Sequence, residues 1–143
     1  MYFASPRKPT EALKTYYIDD VVQCLKGIFQ KYRQDNSFQS IDESMTKFKD
    51  RSSLKQYMPL KPVKRGIKMW LRSDSFTRDT YDFNIYTSRD TEYVEVTLGE
   101  RVVNKLISTA KERDITFCFD RFFTSVCLLE NLQYAAIGIC NQN

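Results

Sequence analysis

The chain has 143 residues, 42% of them hydrophobic and 14% aromatic, with a formal net charge of +4. That is enough for one domain, or a piece of one, with a real core, and it excludes a disordered chain. There is no His, and Cys24, Cys118, Cys127 and Cys140 form no C-x-x-C pair, which argues against a Cys/His zinc site or a His-based triad and for reduced, mostly buried cysteines. No apolar run approaches the ~20 residues needed to cross a bilayer, and the N-terminus lacks a signal-peptide core. The reading is an intracellular protein, nuclear or cytoplasmic, with no membrane partner.

Residues 1–15 are polar, carry Pro6 and Pro9, and read as a loose leader. From Tyr16 to Tyr32 the apolar residues Ile18, Val21, Val22, Leu25, Ile28, Phe29 and Tyr32 recur at three- and four-residue steps, predicting an amphipathic packing helix. A turn through Asp35, Asn36 and Ser37 leads to a strand opening at Phe38, with Asp42 and Glu43 beside Ile41 and Met45.

Between Lys47 and Arg72 stand nine basic residues and one acid, Asp50, a local charge of +8 that leaves −4 for the rest. Such a concentrated segment is expected where a polyanion lies against one surface. Pro59 and Pro62 resist helix and central strand, so this stretch is predicted to be an extended loop with Tyr57, Met58 and Trp70 interleaved for stacking. Taken alone, Trp70 is better explained as a core residue.

Ile67–Leu71 reads as a strand entered through Gly66, and Tyr81–Thr87 as its hairpin partner. After a polar loop, Gly99 precedes a helix with Val102, Val103, Leu106, Ile107 and Ala110 on one face. Ile115–Phe119 is a short apolar run expected to be buried on both sides, ending at Asp120. Thr124 or Ser125 can cap a helix over Val126–Gln133, and Ala135–Cys140 is a last strand. Phe122 and Phe123 read as core residues supporting Asp120.

The runs S-I-D-E-S-M (Ser40–Met45), F-K-D-R-S-S-L-K-Q-Y-M-P-L-K-P-V-K-R-G-I-K (Phe48–Lys68) and F-D-R-F-F-T-S (Phe119–Ser125) resemble the catalytic domain of piggyBac-type transposases and proteins derived from them. The likeness runs from about Tyr17 to Gly138. Three meandering strands followed by alternating helices and strands is also the order of the ribonuclease-H-like fold. The expected class is therefore α/β, a mixed ribonuclease-H-like sheet of the DDE transposase and integrase kind, truncated at its C-terminal side. Residues 1–37 would form a leader and helix, and 38–143 a partial catalytic domain.

The resemblance implies that Asp42 and Asp120 match the first and second acids of the family's DDD triad, as catalytic residues and ligands of Mg²⁺, while the third acid lies outside this sequence. Mg²⁺ prefers oxygen ligands, and two carboxylates on adjacent strands suit it. In such a sheet Asp120 comes beside Asp42 from 78 residues away. Strand alternation puts Glu43 on the opposite side, a poor substitute for the third acid.

The implied partner is DNA, contacted by Lys47, Lys49, Arg51, Lys55, Lys61, Lys64, Arg65 and Lys68, with a second copy or a full-length relative as further partners. Arg121 stands where relatives have Asn, and its charge competes with a metal. Asp50, Asp79 and Ser88 stand where relatives carry Gly in turns. A transposase-derived chain that binds DNA without strand transfer alone is the leading expectation. The alternatives are a repurposed DNA-binding or protein-interaction module and a nuclease completed by a partner.

Overall fold

A computed structural model describes residues 9, 10, 12–87, 96–112 and 114–139. Among these residues six strands form one mixed sheet. β1 (Phe38–Lys47) pairs antiparallel with β3 (Arg65–Asp74) on one side and parallel with β5 (Thr116–Phe119) on the other. β6 (Ala135–Gly138) continues in parallel beyond β5. β4 (Thr80–Ile85) and the short β2 (Lys55–Tyr57) share the far side of β3. An antiparallel meander followed by strands parallel to the first is the ribonuclease-H-like arrangement.

The pleat decides which residues face inward. From β1, Gln39 and Ile41 are buried, and Phe117 and Phe119 from β5 join them. α2 (Leu98–Ile107) lays Val102, Val103, Leu106 and Ile107 on this face, and Trp70, Ile115, Phe123 and Leu128 complete the core. β5 is fully buried on this face only, because Thr116 and Cys118 on its other face are half-buried. The expectation of burial on both sides therefore fails among the described residues. Cys24 and Cys127 are exposed and Cys118 intermediate, so the described cysteines are not core residues, and Cys140 lies outside the described residues.

The first helix, α1 (Asp19–Tyr32), starts three residues later than its apolar stripe, after turns through Ile18 that offer no side-chain cap. Asp19 and Asp20 in its first turn and Lys31 in its last complement the helix dipole. α1 rests on β4 by an edge-on contact of Phe29 with Phe83, centroids 5.9 Å apart. No α1 residue is fully buried, and Leu25, Ile28 and Tyr32 stay exposed.

Polar groups also tie α1 to the sheet. Lys26 pairs with Asp82 at 3.3 Å. Asp82 accepts from the Thr109 hydroxyl, which in turn accepts from Arg72, whose guanidinium also donates to Gln39 at 2.8 Å. Arg72 is 0% exposed. This member of the basic run is thus a core residue, because strand alternation places it on the inner face beside Gln39 and Ile41.

The basic segment itself is more ordered than an extended loop. Lys55–Tyr57 pairs with Arg65–Ile67, and both prolines fall in the intervening turn, where no ladder donor is needed. Gly66 is required here: a Cβ would run into the Thr46 carbonyl across the strand pair. Of the turn residues expected in glycine-like geometry, Asp50 and Asp79 do not have positive φ, and Ser88 lies outside the described residues. Arg78 takes that conformation instead, at φ 67°, at a cost on the order of 1 kcal/mol.

The β3–β4 turn is held by Asp74. Its carboxylate accepts from the Phe76 and Thr77 amides at 2.7 and 2.6 Å, Asn36 at 2.6 Å and the Tyr81 hydroxyl at 2.9 Å. These donors, led by the Thr77 amide, hold the carboxyl far below the ordinary carboxylate range. A depressed folded-state value gives stability that is present above the unfolded value of about 3.9 and lost as pH falls below it. Urea unfolding between pH 2.5 and 7 should therefore show Asp74→Asn destabilised by about 2–4 kcal/mol at neutral pH, with the difference from wild type narrowing in acid.

Candidate metal centre and nucleic-acid interface

β5 ends at Phe119, opposite Ile41, whereas β1 continues for six more residues. The next residue on each strand is an aspartate, Asp42 and Asp120, and both are exposed at the open end of the sheet. Beyond this point β1 has a neighbour only on its β3 side. Carboxylate oxygens of Asp42, Glu43 and Asp120 all lie within 4.8 Å of one another. The juxtaposition of the two aspartates is the one expected from the sequence. Glu43 departs from expectation: alternation puts its Cβ on the other face, yet its longer side chain reaches the group where no strand blocks it.

Each aspartate is held locally. Asp42 Oδ1 accepts from the Glu43 amide at 2.7 Å, and Asp120 Oδ1 accepts from the Phe122 amide at 2.9 Å. Among the described residues neither aspartate is ion-paired, so the three carboxylates present an oxygen-only donor set suited to a hard divalent cation. Arg121, feared as a competing charge, is exposed and takes part in no ion pair among the described residues.

The cation that does reach the group is Lys61, 3.0 Å from Glu43 Oε1. Its ammonium is held above the ordinary lysine value, first by that hydrogen bond, with burial the next largest effect and opposing it, and then by the charges of Glu43, Asp42 and Asp120. Lys68 is different. Its ammonium lies 4.0 Å from the Trp70 ring centroid, with Tyr86 at 5.6 Å and Phe122 at 5.4 Å, and burial pushes its pKa down.

The segment carrying Asp120 rests on a specific scaffold. Phe123 is core, but Phe122 is 49% exposed and lies flat on Trp70, with centroids 5.5 Å apart and planes 12° off parallel. Phe122 is thus not the core residue its sequence suggests, because the turn after Asp120 points it outward over the indole. Below the turn, Gly99 lies so close that a Cβ would be 2.6 Å from the Phe122 carbonyl oxygen. Thr97 and Glu100 form a capping box at the start of α2. Glu100 also accepts from the hydroxyl of Ser125, the N-cap of α3 (Val126–Asn131).

A family profile described as Transposase IS4 matches residues 2–141. The chain belongs to this transposase family. Among solved structures, the piggyBac transposase in a synaptic complex with hairpin DNA is similar at a TM-score of 0.82 and 26% identity, over 91% of this chain and 28% of that one. The chain therefore spans little more than a quarter of the solved transposase chain. No curated protein gave a significant match.

On this transposase sheet the predicted DNA-contacting cations divide by environment. Lys47, Lys49, Arg51 and Lys64 are exposed. Arg65 is exposed but lies over Tyr57, 5.3 Å from its ring centroid. Lys55 donates to the Lys49 and Asp50 carbonyls, Lys61 is paired with Glu43, and Lys68 is caged by aromatics. Of the interleaved stacking candidates, Tyr57 is 61% exposed while Trp70 is core.

Sequence reasoning set Glu43 aside as facing the opposite side and missed the Thr97–Glu100 box, although T-x-x-E is a readable cap signal. Glu100→Gln or Glu100→Ala should lower stability by about 1–2 kcal/mol and, because the Asp120 turn shifts with Ser125, change the emission of Trp70. Thermal melts and tryptophan fluorescence check both.

Proposed function

We propose that this chain carries the sheet of a metal-dependent DNA transposase domain, with Asp42 and Asp120 as ligands of Mg²⁺ and the outward cations of residues 47–65 as the DNA-contacting surface. The observation that carries the reading is the meeting of two aspartates from strands far apart in sequence at the open end of a family-type sheet. The donor set fits the ion: it consists of carboxylate oxygens, and a cation, the Lys61 ammonium, is already stabilised there. Bound Mg²⁺ would supply Lewis-acid stabilisation of charge on phosphoryl oxygens. Asp42 and Asp120 would hold it, while Lys47, Lys49, Arg51, Lys64 and Arg65 bind and orient the phosphate backbone.

The likeness to a transposase solved with hairpin DNA supports DNA as the partner. For the 143 residues assayed alone we expect DNA and metal binding without strand transfer, since the resemblance places the third acid outside them. The reading divides residues 1–37 from a catalytic region at 38–143, with the nucleus or cytoplasm as the place of action.

Two measurements test it. Calorimetric titration should show Mg²⁺ or Mn²⁺ binding that Asp42→Asn and Asp120→Asn each weaken at least tenfold. DNA affinity measured against salt should give a log–log slope that falls by about 0.9 per removed phosphate contact. Combined Lys47→Ala, Lys49→Ala and Lys64→Ala should thus reduce the slope by about 2–3. An unchanged slope removes the DNA surface, and unchanged metal affinity removes the metal site.

A further inference from the structure

We propose that Lys61 is the resident counter-cation of the acidic group, and that its ammonium and a divalent ion exchange at Glu43. The inference rests on the metal reading above and extends it to Glu43 and Lys61, which the DDD triad does not include.

Geometry singles out Lys61. It sits in the β2–β3 turn between Pro59 and Pro62, where the Met58 amide donates to the Lys64 carbonyl at 2.8 Å and the Lys61 amide to the Met58 carbonyl at 3.2 Å. Those bonds fix the turn's shape but do not attach it to the sheet's mouth. Its neighbour Leu60 is 97% exposed and gives no apolar anchor. The attachment is the Lys61–Glu43 ion pair, with side chains 33% and 12% accessible.

Lys68, the other ammonium near these acids, is held over three rings and is poorly placed to follow a change in charge. Lys61 has a long side chain, a third accessible, and among the described residues one ion-pair partner, Glu43.

Electrostatics then makes the two cations alternatives. Asp42, Glu43 and Asp120 would hold a divalent ion, whose charge would repel the Lys61 ammonium that rests 3.0 Å from Glu43 Oε1. Glu43, with only 12% of its side chain accessible, has little room to serve both. With an ion held there, Lys61 would leave Glu43, and the 58–64 turn would lose its ion-pair attachment to the sheet's mouth. Freed, Lys61 joins Lys64 and Arg65 on the outward surface, so metal and phosphate binding favour each other.

The test is calorimetric titration of the intact chain with MnCl2 at fixed ionic strength. Lys61→Met and Lys61→Gln should each bind Mn²⁺ about tenfold more tightly than wild type, a charge effect discounted for partial exposure. Lys61→Arg, which keeps the charge, and Lys64→Met, on the same turn but in no ion pair among the described residues, should stay within about twofold. Without metal, Lys61→Gln should melt below wild type, and saturating Mn²⁺ should close the gap. Unchanged or weaker Mn²⁺ binding in both Lys61→Met and Lys61→Gln overturns the exchange. If instead Asp42→Asn/Asp120→Asn binds Mn²⁺ as wild type does, the metal reading itself is wrong and the exchange falls with it.

Discussion

The parallel pairing of β1 with β5 is the contact on which the site depends. Its register sets Ile41 against Phe119, so the next residue on each strand is an aspartate. The register is held by the inner face: Ile41, Phe117 and Phe119 are buried against α2, and a one-residue slip would turn them outward and bring polar neighbours into the core. Strand length matters equally. Because β1 overshoots β5, the acids stand where the sheet has an open side, and their carboxylates remain accessible.

Hydrophobic burial places these strands, but polar groups fix what surrounds them. The polar chain from Gln39 through Arg72, Thr109 and Asp82 to Lys26 joins β1, β3, the turn after α2, β4 and α1. Removing one partner from such a chain leaves another buried group unpaired, which costs more than the bond itself contributes. At the other end of α2, Glu100 and Ser125 connect the two helix starts that flank the Asp120 turn. The Asp120 turn is thereby supported from below by backbone contact at Gly99 and from the side by Trp70 and Phe122.

The basic segment shows how little net charge says about a surface. Of nine cations in the run, Arg72 is core, Lys68 is caged, Lys61 is spent on Glu43 and Lys55 on nearby carbonyls. What is left facing outward is Lys47, Lys49, Arg51, Lys64 and, over Tyr57, Arg65. A polyanion would meet this smaller set, and the density of positive charge in the sequence overstates it.

By itself the sequence determined the periodic elements. The stripe of α2, the meander strands and the apolar run of β5 follow from side-chain spacing, and the family motifs marked Asp42 and Asp120 within them. It also carried the T-x-x-E cap at Thr97 and Glu100, which is a local signal. Only the tertiary structure decided which of two faces each strand buried, and so made Arg72 a core residue and put Phe122 outside. It also decided where β5 stops relative to β1, which let Glu43 and Lys61 reach the acids. The reason is physical: periodicity is a property of neighbours along the chain, whereas strand ends, registers and long flexible side chains meet through contacts between residues tens of positions apart.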